Sequence, residues 1–188
     1  MQTGYNKDAK TFIGSFGGTY KETGAGSLDA TMQFHTDDKD QVGQSFPVSY
    51  KVNGNELQIN AGDDATEWQR IDDGNAALAG VWRISQREQE GKMNPINPGP
   101  RRTLKILSGT RFQWAAINTE TGEFFGTGGG TYSFKDGKYT ENIEFFSRDT
   151  SRVGMSLSFD GKVDGDNWHH SGLSSKGEKI SEIWTRSK

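Results

Sequence analysis

Apolar and polar residues alternate in short runs along most of the chain, and Gly, Asn and Asp bound these runs every 8 to 15 residues. A period of two sends successive side chains to opposite faces of a strand, whereas the 3.6-residue period of an amphipathic helix is almost absent. The pattern predicts an all-β chain. Eight strands are expected from residue 79 onward, at 80–88, 103–108, 111–118, 123–135, 138–147, 154–163, 167–174 and 179–187. Asp136-Gly137 and Asp164-Gly165 mark two-residue hairpins, because both positions of such a turn tolerate positive φ. Left open, eight sequential antiparallel strands would expose two raw edges, and closing them into an up-and-down barrel removes both.

One string occurs twice. Residues 11–20 read TFIGSFGGTY and residues 123–134 read EFFGTGGGTYSF, so Gly17-Gly18-Thr19-Tyr20 falls on Gly129-Gly130-Thr131-Tyr132 at an offset of 112. Val42-Gly43 then falls on Val153-Gly154, Val52-Asn53-Gly54-Asn55 on Val163-Asp164-Gly165-Asp166, and Trp68-Gln69-Arg70 on Trp184-Thr185-Arg186. An offset as long as one barrel points to tandem units rather than to a repeat inside one barrel. In the second copy 51 residues separate Leu78 from Gly129, but only 16 precede Gly17, so the first copy lacks 51 − 16 = 35 residues. The expected organisation is a partial unit over 1–74, consisting of the last five strands of a barrel without its first three, and a complete barrel over 78–188. A half barrel exposes edges and an apolar face. Strands from outside these residues, pairing with a second copy in a homo-oligomer, or packing on the complete barrel would each protect it.

Composition narrows the function classes. The 188 residues include 25 Gly, no Cys, and 22 basic against 25 acidic side chains, for a net charge of −3. No basic stripe is available for a phosphate backbone, so nucleic acid is not an expected partner. No run approaches the roughly 20 apolar residues of a spanning helix, and the residues after Met1 are polar rather than an apolar signal core. The GTGGG run lies in a strand with no helix after it, so it is not a phosphate cradle. No Ser-His-Asp spacing, zinc-ligand cluster or cofactor fingerprint appears. His169 and His170 are adjacent on one strand and point to opposite faces, so they cannot grip one ion together.

Gly80-Val81-Trp82 opens the complete unit and Trp184-Thr185-Arg186 closes it. With TGGGTYSFKDGKYTENIEFFS, GDNWHHSG and KISEIWTR in that order, the chain resembles the calycin superfamily, and within it the small lipocalin-like proteins exported by gut Gram-negative anaerobes. The resemblance implies that Trp82 and Arg186 meet at the closed end of the barrel. It also implies an extracytoplasmic location (periplasmic, secreted or surface-anchored) and a non-enzymatic role in binding a small hydrophobic or amphipathic molecule. A barrel of only about 110 residues can be filled by its own side chains, which keeps a solid structural or protein-interaction module open as the alternative.

Comparison of the two copies selects candidate residues. Leu28/Tyr139, Phe34/Phe145, Phe46/Leu157, Leu57/Trp168 and Trp68/Trp184 stay apolar and are expected to line the interior. Thr31/Asn142, Gln33/Glu144 and Gln58/His169 stay polar and are expected to face water. Alternation places Glu141, His170 and Glu182 on the interior face, where the first copy has Ala30, Ile59 and Thr66. An ionisable group set where the sister copy has none invites a binding role. The expected ligand site is therefore Trp114, Tyr139 and Trp168 as apolar wall, with Glu141, His170 and Glu182 at the polar end. Residues 91–102, GKMNPINPGPRR, hold three of the four prolines, and the resemblance implies a lid over the mouth, with Met93, Ile96 and Arg101 near the ligand. A third reading makes Glu141 and Glu182 the two carboxyls of a glycan-acting enzyme.

Overall fold

The computed structural model describes residues 1–187 and contains two antiparallel sheets. The first is built from β1 (Gln2–Asn6), β2 (Thr11–Gly24), β3 (Ser27–His35), β4 (Ser45–Asn53), β5 (Glu56–Ala61) and β6 (Asp64–Gln69), paired in that order. The second comprises β7 (Gly80–Gln89), β8 (Lys92–Pro95), β9 (Arg101–Leu107), β10 (Arg111–Asn118), β11 (Phe124–Lys135), β12 (Lys138–Phe146), β13 (Ser156–Asp164), β14 (Asn167–Leu173) and β15 (Lys179–Arg186). Its last strand pairs back on β7, with Trp184 opposite Ile84 and Arg186 opposite Trp82, so β7 and β9–β15 form a closed eight-stranded up-and-down barrel.

The Arg186 guanidinium lies 4.2 Å over the Trp82 ring and donates to the carbonyls of Ala77 and Ala79, while Trp82 Nε1 donates to the Leu78 carbonyl at 2.8 Å. One cation thereby ties the last strand to the chain entering the first, and closes one end. Inside, Leu78, Trp82, Tyr139 and Trp168 have no solvent exposure and pack with Leu107, Phe112, Phe159 and Trp184. Each large apolar side chain so buried stabilises the barrel by roughly 1.5–3 kcal/mol.

The first sheet carries six strands, one more than the sequence predicts. Gln2–Asn6 pairs with β2 in the register in which the far end of β10 pairs with β11: Gln2 faces Phe16 as Trp114 faces Gly128, and a bulge follows Gly4 as one follows Ala116. The end of the third barrel strand is thus present, in a stretch too short and polar for alternation to reveal. The parallel continues, with Leu28 facing Val48 as Tyr139 faces Phe159, and Leu57 facing Trp68 as Trp168 faces Trp184.

The doubled glycine string forms matching bulges at Gly17/Gly18 and Gly129/Gly130. A Cβ on Gly18 would lie 1.8 Å from the Thr31 carbonyl oxygen, and one on Gly130 would lie 2.0 Å from that of Asn142. Only glycine permits so close a backbone approach. The matching bulges shift the phase of β3 and β12. Phe34 leaves the inner face of its sheet, against expectation. In β12 the shift overturns two further expectations: Phe145 does not line the interior, and Glu144 does not face water.

Both residues meet the other sheet, because the two sheets pack outer wall to outer wall. Phe145 contacts Tyr5 and Phe12, with ring centroids 4.7 and 6.5 Å away, and Phe34 stacks on Phe124 at 6.1 Å beside Ala115 and Ile117. Glu144 accepts hydrogen bonds from Tyr5 Oη at 2.9 Å, Lys7 Nζ at 3.0 Å and Arg111. Burial pushes the Glu144 carboxyl up, but these donors outweigh it and hold the pKa below the usual range. Gln113 bridges Thr3, Ser15 and Thr127. Asp72, in the connection between the sheets, accepts from Ser108, Gly109 and Thr110 in the β9–β10 turn. These hydrogen bonds outweigh burial and hold Asp72 far below its ordinary pKa, so the clamp is anionic at any physiological pH.

Candidate functional site

The barrel interior holds a polar cluster in an aromatic shell. Lys105, on β9, is 5% exposed, and its Nζ donates to Glu141 Oε1 at 2.6 Å. Tyr139 Oη donates to the same oxygen at 2.8 Å. The ammonium lies 5.2–5.5 Å from the ring centroids of Phe112, Tyr139, Trp168 and Trp184, so four π-faces and one carboxylate replace its water shell. Burial and then the Glu141 charge push the Tyr139 phenol well up, keeping it a protonated donor.

Toward the opposite end from Trp82, Glu182 Oε1 accepts from Arg87 Nε and Nη2 at 3.1 and 2.8 Å, and Oε2 accepts from Trp184 Nε1 at 3.0 Å. Arg87 is more than half exposed, so this pair stands where the lumen meets solvent.

Between the two carboxylates sits His170, 4% exposed, with ring centroids of Phe159, Trp168 and Tyr139 at 4.2, 5.1 and 5.7 Å. Its Nδ1 is 3.8 Å from Glu182 Oε2, too far for a hydrogen bond, and neither ring nitrogen has a hydrogen-bond partner among the described residues. Trp168 Nε1 is likewise without one. Burial, and secondarily the Lys105 charge, hold the His170 pKa well below its ordinary value, so the imidazole is neutral.

The structure therefore gathers Tyr139, Glu141, Trp168, His170 and Glu182 around one lumen. Trp114 joins at the edge, half-buried and edge-on to Phe146 at 5.4 Å. Glu141 and Glu182 each have a cation of their own, and of the three ionisable candidates only His170 remains uncommitted. The lid segment is partly a strand, since β8 continues β7 as a hairpin. Met93 Sδ lies 4.0 Å from Ser181 Oγ, Ile96 is bonded to the Ser85 carbonyl, and Arg101 stacks 4.4 Å over Phe125 rather than joining the cluster.

Sequence reasoning missed Lys105 and Arg87. In Thr103-Leu104-Lys105-Ile106-Leu107 apolar residues flank the lysine on both sides, and Leu104 packs on the Ala115–Phe124 cluster outside the barrel. The outer wall is apolar there because the other sheet covers it, so apolar character does not mark the lumenal face of this strand. The available signal was Glu141 itself, a lumenal carboxylate that requires a cation.

Among the described residues no group of His, Asp and Glu could hold a metal ion, and no helix is long and apolar enough to cross a membrane. A hollow of about 350 Å³ lies outside the barrel, between Tyr5, Ile71, Ile106 and Phe112, and one of about 280 Å³ lies on the open face of the six-stranded sheet.

Residues 77–188 match the family model described as a domain of unknown function (DUF4488). Among solved structures, a lipocalin-like protein from Bacteroides uniformis is similar at 14% sequence identity with a TM-score of 0.40, the match covering 58% of this chain and 98% of that one. No curated protein matches the chain.

Proposed function

The chain belongs to the family described as a domain of unknown function (DUF4488), and from that premise we propose that residues 78–188 form a non-enzymatic binding barrel and residues 1–74 a partial copy of the same unit. The ligand is a small amphipathic molecule that enters from the Arg87 end. It lies against Trp114, Phe146 and Trp168 and hydrogen-bonds to His170. The observation that carries this reading is the His170 ring, buried with two unsatisfied nitrogens. An unmade hydrogen bond of this kind costs about 1–3 kcal/mol per group, and a ligand polar group that reaches the ring recovers it. Complete burial of Trp82, Tyr139 and Trp168 limits the ligand to a small ring or chain end seated above them. Glu141 and Glu182 are already neutralised by Lys105 and Arg87 and act as supports for the site rather than as acid and base. An extracytoplasmic location belongs to the same proposal and rests on the resemblance of the sequence.

Titration with 1-aminoanthracene, a flat apolar ring bearing one hydrogen-bonding amine, tests this reading through quenching of tryptophan fluorescence. Saturable 1:1 binding is expected. His170→Ile should abolish it while leaving a folded barrel by circular dichroism, and Leu57→Asp on the other sheet should leave it intact. Binding unchanged in His170→Ile would refute the assignment.

A further inference from the structure

The six-stranded sheet turns its outer wall to the barrel and leaves the equivalent of a lumenal face open. Leu28, Val48, Tyr50, Leu57 and Ile59 are only half-buried there, and Tyr20 is 69% exposed; together they line the hollow of about 280 Å³. By strand register these residues stand where the barrel has its core, for Leu28 matches Tyr139, Leu57 matches Trp168 and Ile59 matches His170. Among the described residues β6 pairs on one side only, with β5, and all six of its residues are exposed.

The barrel shows what such an edge and face receive. Its last strand, β15, takes β7 on its outer edge, Trp184 opposite Ile84 and Arg186 opposite Trp82, and Trp82 then covers the floor and receives the guanidinium. The corresponding residues of the six-stranded sheet are Trp68 and Arg70. Trp68 is 40% exposed, and Arg70 is exposed and, among the described residues, has no aromatic ring stacked on its guanidinium as Trp82 is on that of Arg186. The closing half of the motif is thus built, displayed and unfilled.

We propose that this sheet is an acceptor for an extended polypeptide segment with the pattern of β7. The segment adds to the free edge of β6, sets an apolar residue opposite Trp68, and brings a Gly-x-Trp tryptophan under Arg70. Backbone hydrogen bonds along β6 supply affinity, and the alternate side chains that enter the hollow supply specificity. A segment without the tryptophan leaves Arg70 without a ring and the floor open. This inference does not rest on ligand binding in the barrel, which uses the other sheet.

The test offers the full chain a labelled synthetic peptide of the sequence Leu78–Gln89, LAGVWRISQREQ, and follows fluorescence anisotropy. Saturable 1:1 binding is expected. It should weaken at least tenfold when the tryptophan of the peptide is replaced by Ala or when Arg70→Ala is made in the protein, and be lost in Leu57→Asp. Val52→Lys, at a position already more than half exposed, repeats the last test where folding is not at stake. No saturable binding, or equal binding of a scrambled peptide, overturns the proposal. So does a dimer in sedimentation that Leu57→Asp abolishes and the peptide cannot disperse, because the occupant is then a second copy of the chain.

Discussion

Removing the ammonium of Lys105 isolates the largest electrostatic commitment in the barrel. In Lys105→Met the stem volume is kept, and Glu141, 6% exposed, is left with only the Tyr139 hydroxyl. Breaking a buried pair from one side costs about 3–5 kcal/mol, and the lost contact with four ring faces acts in the same direction. Set against a typical total stability of about 5–15 kcal/mol, that is a large fraction. Replacing both partners, in Lys105→Met/Glu141→Leu, removes the uncompensated charge and should return stability to within about 1–2 kcal/mol of the parent, since apolar packing often substitutes for a buried pair without loss. Urea unfolding followed by tryptophan fluorescence at neutral pH measures all three proteins, with equal m-values as the condition for comparing them. A loss below about 1 kcal/mol in Lys105→Met, or a double variant as unstable as the single one, would refute this account of the pair.

Two further outcomes follow from the geometry. His170 has a folded pKa below its unfolded value of about 6.5, so the unfolded chain takes up a proton that the folded barrel refuses. Stability should therefore be full above about pH 6.5 and fall below it by up to about 1.4 kcal/mol per pH unit, and in His170→Ile this contribution should vanish from urea midpoints measured between pH 8 and 5. Gly130→Ala should cost more than about 3 kcal/mol or block folding, because its Cβ would meet backbone atoms at 2.0 and 2.8 Å, whereas Gly154→Ala, with open space around it, should cost less. A thermal melt of Gly130→Ala close to that of the parent would contradict the tight approach of β11 and β12.

Much of the fold was legible because its signals are local. Asp136-Gly137 forms a two-residue turn with both residues at positive φ, the second hairpin turns one residue later than expected, at Gly165-Asp166, and the doubled glycine string aligns the two sheets strand for strand, while closure by Trp82 and Arg186 was implied by the family resemblance. The lumenal places of Tyr139, Trp168, His170 and Glu182 followed from alternation within unbroken strands. What alternation could not carry was any position beyond a bulge or beneath a second layer. Glu144 and Phe145 follow the Gly129/Gly130 bulge and exchange faces, and Lys105 is flanked by Leu104, which packs in the contact between sheets, and by Ile106, which lines the hollow beside it. The sixth strand, Gln2–Asn6, is five residues with its own bulge and gives no period to detect.

The outer-wall contact has a bearing on communication. Tyr5 and Phe12 meet Phe145 just as Ile117 and Phe124 meet Phe34, so the two units exchange equivalent elements and keep their inner faces apart. Neither inner face contributes a side chain to the other, and the groups between them are rings, an anion with three donors, and a bridging amide. Occupants of the two faces should bind independently, each with the same affinity whether or not the other is present, and the molecule would count its ligands without comparing them.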